Sequence, residues 1–317
     1  MIDSGKHVAV VGTGRVGRAT LLLLAHERWI DRLTLVDTKP ELAGSIAEEV
    51  RHSLGSTEND IDVVSYDEDD SVEGADIVLI TAGAPRTKDM KDRTDLTEAN
   101  ARIIKDIAEA VGPTNPDAYY VVVTNPVDAM ATLFKKLSNA DWVISTGTNL
   151  ESLRFRAELS KRLDVPITSI KGFVGGEHGK DAVFLWSTVE IHGMPLERYL
   201  RETNGSLDIE QIQEHVKEIS RQIIKTSGGT RMGPAVSFRD ILRSIALNEN
   251  KILPVAAPYQ GLNIKEEVMV STPRVVGKMI GDAISLPDKE MVQIENAAEK
   301  IHEVYVESFE GLTNLPR

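Results

Sequence analysis

The stretch HVAVVGTGRVGRATLLLLAHERW, residues 7–29, decides the architecture. A β-branched run, HVAVV, feeds three glycines and then a segment with helical apolar spacing. Gly12 permits a tight turn, Gly14 lets the backbone approach a pyrophosphate, and Gly17 lets helix and strand pack closely, so the helix N-terminus faces the phosphates. Arg15 and Val16 sit within that turn. A glycine turn alone is a weak signal. Here a strand precedes it, a helix follows, and Asp37 ends the next strand, LTLVD, where a carboxylate would hydrogen-bond the ribose hydroxyls of a dinucleotide. Asp37 would also repel a 2′-phosphate. The expected cofactor is therefore NAD, with NADP a weaker alternative because Lys39 stands close by.

Working outward, the same alternation continues. HVAVVG, LTLVD, IDVVSY, DIVLITAG, YYVVVTNP and WVISTG are strand candidates separated by helical patterns, which implies a parallel sheet covered on both faces. From about residue 149 the pattern changes to a helix NLESLRFRAELSKRL, strands SIKGFVG and AVFLWSTVEI, a helix over 208–226, another over 234–247, further strands and a last helix. The expectation is an α/β chain: a Rossmann doubly wound parallel sheet over 1–148 and an α+β substrate domain over 149–317, with a ligand cleft between them.

Composition narrows the function. The 317 residues carry 49 acidic against 36 basic side chains, a net charge of −13, which disfavours nucleic acid and anionic membranes as partners. Any anionic ligand must be met by local arginines. Without cysteine, thiolate catalysis and disulfides are excluded, and a reducing, cytoplasmic setting is expected. The longest apolar run, TLLLLA, is too short to span a bilayer.

Candidate chemistry is sparse. His7, His26, His52, His192, His215 and His302 lie in strand starts, helices or turns, and none pairs at metal-ligand spacing, so no metal is expected. His178 differs, because VGGEHGKD places it between glycines just after an apolar strand. Glu151 and Arg154 are three apart and share a helix face. Asn125, in VVVTNPVD, ends a strand on the edge where open α/β sheets bind ligands. GAPRTKDMKDRTDL, residues 83–96, concentrates Arg86, Lys88, Lys91 and Arg93 in an acidic chain.

Taken in order, GTGRVG, LVD, ITAGAPR, RTDL through Asn100, VTNPVD, ESLR and GGEHG resemble the lactate and malate dehydrogenase superfamily over essentially the whole chain. STGTNLESLRFR and FVGGEHGKDAVFLWSTV are most similar to malate dehydrogenases of thermophilic archaea. The resemblance implies His178 as proton donor and acceptor, and Glu151 as the carboxylate that orients it, where aspartate is usual. It implies Arg154 on the substrate's C1 carboxylate, Arg93 on the reacting oxygen and Asn125 near nicotinamide and substrate, with Asn100 among the cofactor contacts. It implies that Arg86 selects the dicarboxylate, malate or oxaloacetate, and that the protein is a homo-oligomer, tetramer before dimer.

Departures keep other readings open. Seven steps from Arg86 to Arg93 match lactate dehydrogenases, where malate dehydrogenases usually have six, and Lys180 stands where an acid is common. An L-lactate or relaxed 2-hydroxy acid dehydrogenase is thus an alternative; a catalytically silent NAD-binding sensor is one of another class.

Overall fold

The computed structural model describes residues 5–84 and 93–313. All six expected strands of the first half are present: β1 (Lys6–Val11), β2 (Ile30–Val36), β3 (Asp62–Tyr66), β4 (Ile77–Ile80), β5 (Tyr119–Val122) and β6 (Val143–Ser145). They pair in parallel in the order β3-β2-β1-β4-β5-β6, the doubly wound order whose ligand site lies at the β1/β4 switch. Between them run α1 (Arg15–Leu24), α2 (Leu42–Leu54), α3 (Arg93–Val111) and α4 (Val127–Ser138).

Strand alternation sorts the core into two layers. Ala9, Val11, Val78, Ile80, Tyr120 and Val122 face one cluster, shared with α3, α4 and the C-terminal helix. Val8, Val10, Ile77, Leu79 and Val121 face the other, shared with α1 and α2.

The second half comprises α5 (Asn149–Leu163), β7 (Ile170–Gly176), β8 (Ala182–Ile191), β9 (Met194–Pro195), α6 (Leu196–Thr203), α7 (Ile209–Ser227), α8 (Met232–Ala246), β10 (Lys251–Tyr259), β11 (Val268–Val276), β12 (Ile280–Ala283) and α9 (Asp288–Thr313). Its strands do not form a separate sheet. β10 joins antiparallel to β6 through a single pair, Ala256 with Ser145, and β7 joins β11 through Ser271 with Gly176. One twelve-stranded sheet therefore runs through both halves. The expected helix over 208–226 starts one residue later, because Asp208 caps it by accepting from the Gln211 N–H at 2.9 Å. The eight-residue α6 had no counterpart in the sequence reading; two turns give too few repeats for a periodic signal. No helix among the described residues is long and apolar enough to cross a membrane.

Candidate active site

The glycine turn lies at the carboxyl end of β1. Gly12 has φ +96° and its missing Cβ would overlap the Ala82 backbone. A Cβ on Gly17 would run into the Gly12 carbonyl and stand 2.9 Å from Thr81 Oγ1. These two glycines let β1, α1 and the segment after β4 converge. Gly14 is the opposite case: nothing lies within 4 Å of where its Cβ would be. It is the N-cap of α1 and offers no side-chain cap, so Arg15 and Val16 begin a helix whose N-terminus opens onto that space. An anion fits there, with a bare N-terminus and room for close backbone approach.

Asp37 follows β2 and is already bonded within the chain. Its Oδ2 accepts from the Thr13 N–H at 2.8 Å and from Thr13 Oγ1 at 3.1 Å, and its Oδ1 accepts from the Lys39 N–H at 3.0 Å. The carboxylate pins the glycine turn and keeps lone pairs for a hydroxyl. Neighbouring strand ends are stitched alike: Thr81 Oγ1 donates to the Gly12 carbonyl at 2.6 Å, and Thr124 Oγ1 to the Ala82 carbonyl at 2.5 Å. Asn100, 3% exposed, accepts from the Ala84 N–H at 2.7 Å and donates to the Asn125 carbonyl at 2.6 Å. It braces the backbone around Asn125, whose own side chain is exposed at the sheet edge.

His178 lies on the turn between β7 and β8, and Glu151 and Arg154 on the first turns of α5. The structure brings all three together. Glu151 Oε2 accepts from His178 Nδ1 at 3.0 Å, while Oε1 accepts from Arg154 Nη1 at 3.1 Å. One buried carboxylate thereby holds both groups and leaves His178 Nε2 for a ligand. Burial alone would push the imidazole down, but the charge and hydrogen bond of Glu151, joined by Asp128, outweigh it and raise His178 to about 9. Burial alone would push Glu151 up; His178 and Arg154 reverse this and hold it below the usual carboxylate range. Arg154 is lowered by burial and supported by Glu151.

Asp128 belongs to this cluster and escaped the sequence reading. It is 2% exposed in the first turn of α4; its Oδ2 accepts from the His178 N–H at 2.8 Å and its Oδ1 from Ser145 Oγ at 2.8 Å. A signal existed: a lone acid in VDAMATLF, a helix turn otherwise apolar. Arg86, Lys88 and Lys91 fall outside the described residues, and so does the side chain of Arg93, which begins α3. Lys180 is exposed, and its carbonyl accepts from Lys217 Nζ at 2.9 Å. The remaining histidines have ordinary partners where any is seen; His7, for one, bonds the Gly74 carbonyl and Thr34 Oγ1. No cluster of metal-ligating side chains occurs among the described residues.

A family model for the lactate/malate dehydrogenase NAD-binding domain matches residues 6–142, and one for the lactate/malate dehydrogenase alpha/beta C-terminal domain matches residues 148–310. A malate dehydrogenase of Sulfurisphaera tokodaii is 38% identical over 308 residues, covering 96% of this chain and 97% of its own. An L-lactate dehydrogenase of Lactobacillus delbrueckii subsp. bulgaricus is 35% identical over 305 residues, covering 93% and 97%. The solved structure of a lactate dehydrogenase from a deep-sea metagenome library superposes with TM-score 0.90 at 25% identity, covering 97% of this chain and all of that one. The minor L-lactate dehydrogenase of Enterococcus mundtii gives 0.88 at 28%, covering 96% and 98%.

Proposed function

Because the chain belongs to the lactate/malate dehydrogenase family, and so is an oxidoreductase with NAD as its cofactor, we propose that it is a malate dehydrogenase interconverting (S)-malate and oxaloacetate. The observation that carries the reaction class is the double grip of Glu151 on His178 and Arg154. It supplies a proton carrier and a carboxylate anchor side by side.

Gly12, Gly14, Arg15, Val16, Gly17 and Asp37 would hold the cofactor, which accepts or gives the hydride at the substrate's C2. Arg154 binds the C1 carboxylate in a two-pronged bond. His178, raised to about 9, is protonated in the resting protein near neutral pH and ready to give a proton from Nε2 to the carbonyl oxygen of oxaloacetate. In the reverse direction its neutral form takes the malate hydroxyl proton, and Glu151 stabilises the imidazolium that results. Arg93 steadies charge developing on the same oxygen, Asn125 orients substrate and cofactor, and Asn100 fixes the backbone of Asn125. Arg86 receives the second carboxylate. Pyruvate would leave the Arg86 charge without its carboxylate, a loss of about 2 to 5 kcal/mol, so pyruvate is disfavoured. We place the division between cofactor and substrate halves at Thr148, the N-cap of α5, and the assembly as a cytoplasmic homotetramer, which sedimentation tests.

The substrate choice is tested by NADH oxidation with oxaloacetate and with pyruvate, for the parent and for Arg86→Gln. A preference for oxaloacetate that the variant loses supports the malate reading. A parent that prefers pyruvate replaces it with the lactate reading, which the L-lactate dehydrogenase relatives and the seven-step Arg86–Arg93 spacing favour. Turnover with neither leaves the fold standing and the substrate unidentified.

A further inference from the structure

We infer that Asp128 is a second positioning carboxylate for His178: it fixes the histidine's backbone while Glu151 fixes its ring, and its negative charge helps hold the imidazolium at this point of the cleft. The inference rests on the dehydrogenase reading for what His178 does, but not for the contacts themselves.

The geometry is that of a clamp between the two halves. Asp128 comes from α4, which follows β5; His178 comes from the β7–β8 turn; Ser145 ends β6 and donates to Asp128 while accepting from the Gly147 N–H at 3.0 Å. A purely structural role needs acceptors for the His178 N–H and the Ser145 O–H, and a neutral amide oxygen with two lone pairs could meet both. A carboxylate 2% exposed is a costly substitute for it, because a buried charge must be offset by a nearby opposite one. The two hydrogen bonds to Asp128 come from neutral donors, and among the described residues no arginine or lysine forms an ion pair with it. Among the described residues, the positive charge that acts on it is that of the His178 ring.

The surroundings do not relax this demand. Around His178 stand Glu151 and Arg154 of α5 as well as Asp128. Behind Asp128 a cavity of about 230 Å³ is bordered by Glu98 of α3, by Glu177, Lys180 and Asp181 of the turn, and by Lys300, Glu303 and Glu307 of α9. Lys300 is held by Glu303 at 2.9 Å and Lys180 is exposed. The Asp128 carboxyl is raised to about 6: burial pushes it up and Glu177 adds to this, while the bond from the His178 N–H, the His178 charge and Ser145 pull against it. Ionised Asp128 and protonated His178 therefore stabilise each other between these two titrations.

Asp128→Asn separates charge from shape. The amide oxygen can accept from the His178 N–H while its nitrogen donates to Ser145 Oγ, so the bond to His178 survives, the Ser145 bond reverses direction at the expense of its hydroxyl proton's acceptor, and the charge is lost. We would titrate the protein labelled with ¹⁵N-histidine by NMR, assigning the His178 signal through its loss in His178→Asn. Asp128→Asn is expected to lower the His178 midpoint by about one pH unit, a tenfold loss of proton affinity, and to move the alkaline limb of 2-keto acid reduction equally, with KM for NADH unchanged. A folded variant whose midpoint stays in place overturns the inference. Should the variant not fold, the parent decides: its His178 amide signal must inflect near pH 6 as Asp128 titrates, and a flat trace overturns the inference. Neither NMR readout needs turnover, so a protein inactive on every 2-keto acid refutes the dehydrogenase proposal and leaves the Asp128 contact separately testable.

Discussion

Replacing Glu151 with glutamine should change when the site works as well as how fast. Glutamine keeps an oxygen for His178 Nδ1 but removes the charge that, with its hydrogen bond, offsets the ring's burial. The span from the ordinary 6.5 to about 9 corresponds to about 3 kcal/mol at roughly 1.4 kcal/mol per unit; it is what remains after burial has been offset, so the carboxylates around the ring together contribute at least that much to the imidazolium. With His178 back at 6.5 or below, less than about a tenth of the variant is protonated at pH 7.5, against nearly all of the parent. Oxaloacetate reduction at limiting substrate should then fall at least tenfold at pH 7.5 and recover most of that loss near pH 5.5, since kcat/KM reports the free enzyme's acid. Malate oxidation, which needs the neutral ring, should lose less at pH 7.5. The assay is NADH absorbance across that pH range, with far-ultraviolet circular dichroism as the fold control. An equal loss at both pH values would show that Glu151 orients the ring without setting its protonation, and the electrostatic reasoning would fail.

Stability should follow the same group. A histidine raised on folding contributes stability that is complete below 6.5 and is lost as pH rises through about 9, so the parent's melting temperature should decline across that window and that of His178→Asn should decline less. Gly17→Ala places a Cβ against the Gly12 carbonyl and Thr81; it should cost about 1 to 3 kcal/mol in urea unfolding and raise KM for NADH. Asp37→Ser removes the acceptor of three bonds to Thr13 and Lys39 together with the charge that repels a 2′-phosphate. Its KM for NADH should rise several-fold and that for NADPH should fall, and an unchanged ratio would refute the role of Asp37 in cofactor choice.

The first half of the fold was legible because its signals are local. β1, the glycine turn and α1 lie within about twenty consecutive residues, and the core alternation of Val8/Val10 against Ala9/Val11 is written in neighbouring positions. The Glu151–Arg154 pair could be read from helical spacing, and its bond to His178, 27 positions away, followed from family order. Asp128 could not be read that way. An acid in a first helical turn has the bland explanation of the helix dipole, and its partner lies 50 positions on. The joining of β10 to β6 was equally silent: one residue pair leaves no period for a sequence to display.

That seam explains why the site stands where it does. Single-pair junctions at Ser145–Ala256 and Ser271–Gly176 bring the ends of β6 and β7 against the middles of β10 and β11, and small residues make this possible. Gly147, at φ +50°, has no room for a Cβ between Ser271 Oγ and the Ala256 N–H. The same atoms then serve the cluster above. Ser145 donates to Asp128, Ser271 accepts from the Thr148 N–H at 2.9 Å where α5 starts, and Thr148 Oγ1 donates to the Val174 carbonyl in β7. The starting points of Glu151 and Arg154, and the strand that delivers His178, are thus bonded to one short line of backbone where the parallel sheet becomes antiparallel. A relative shift of the halves would have to break these buried bonds, each worth about 1 kcal/mol and costing more when left unsatisfied. His178 and its two carboxylates are therefore held in place by the seam, and on the dehydrogenase proposal adjustment to a substrate falls to the groups outside it.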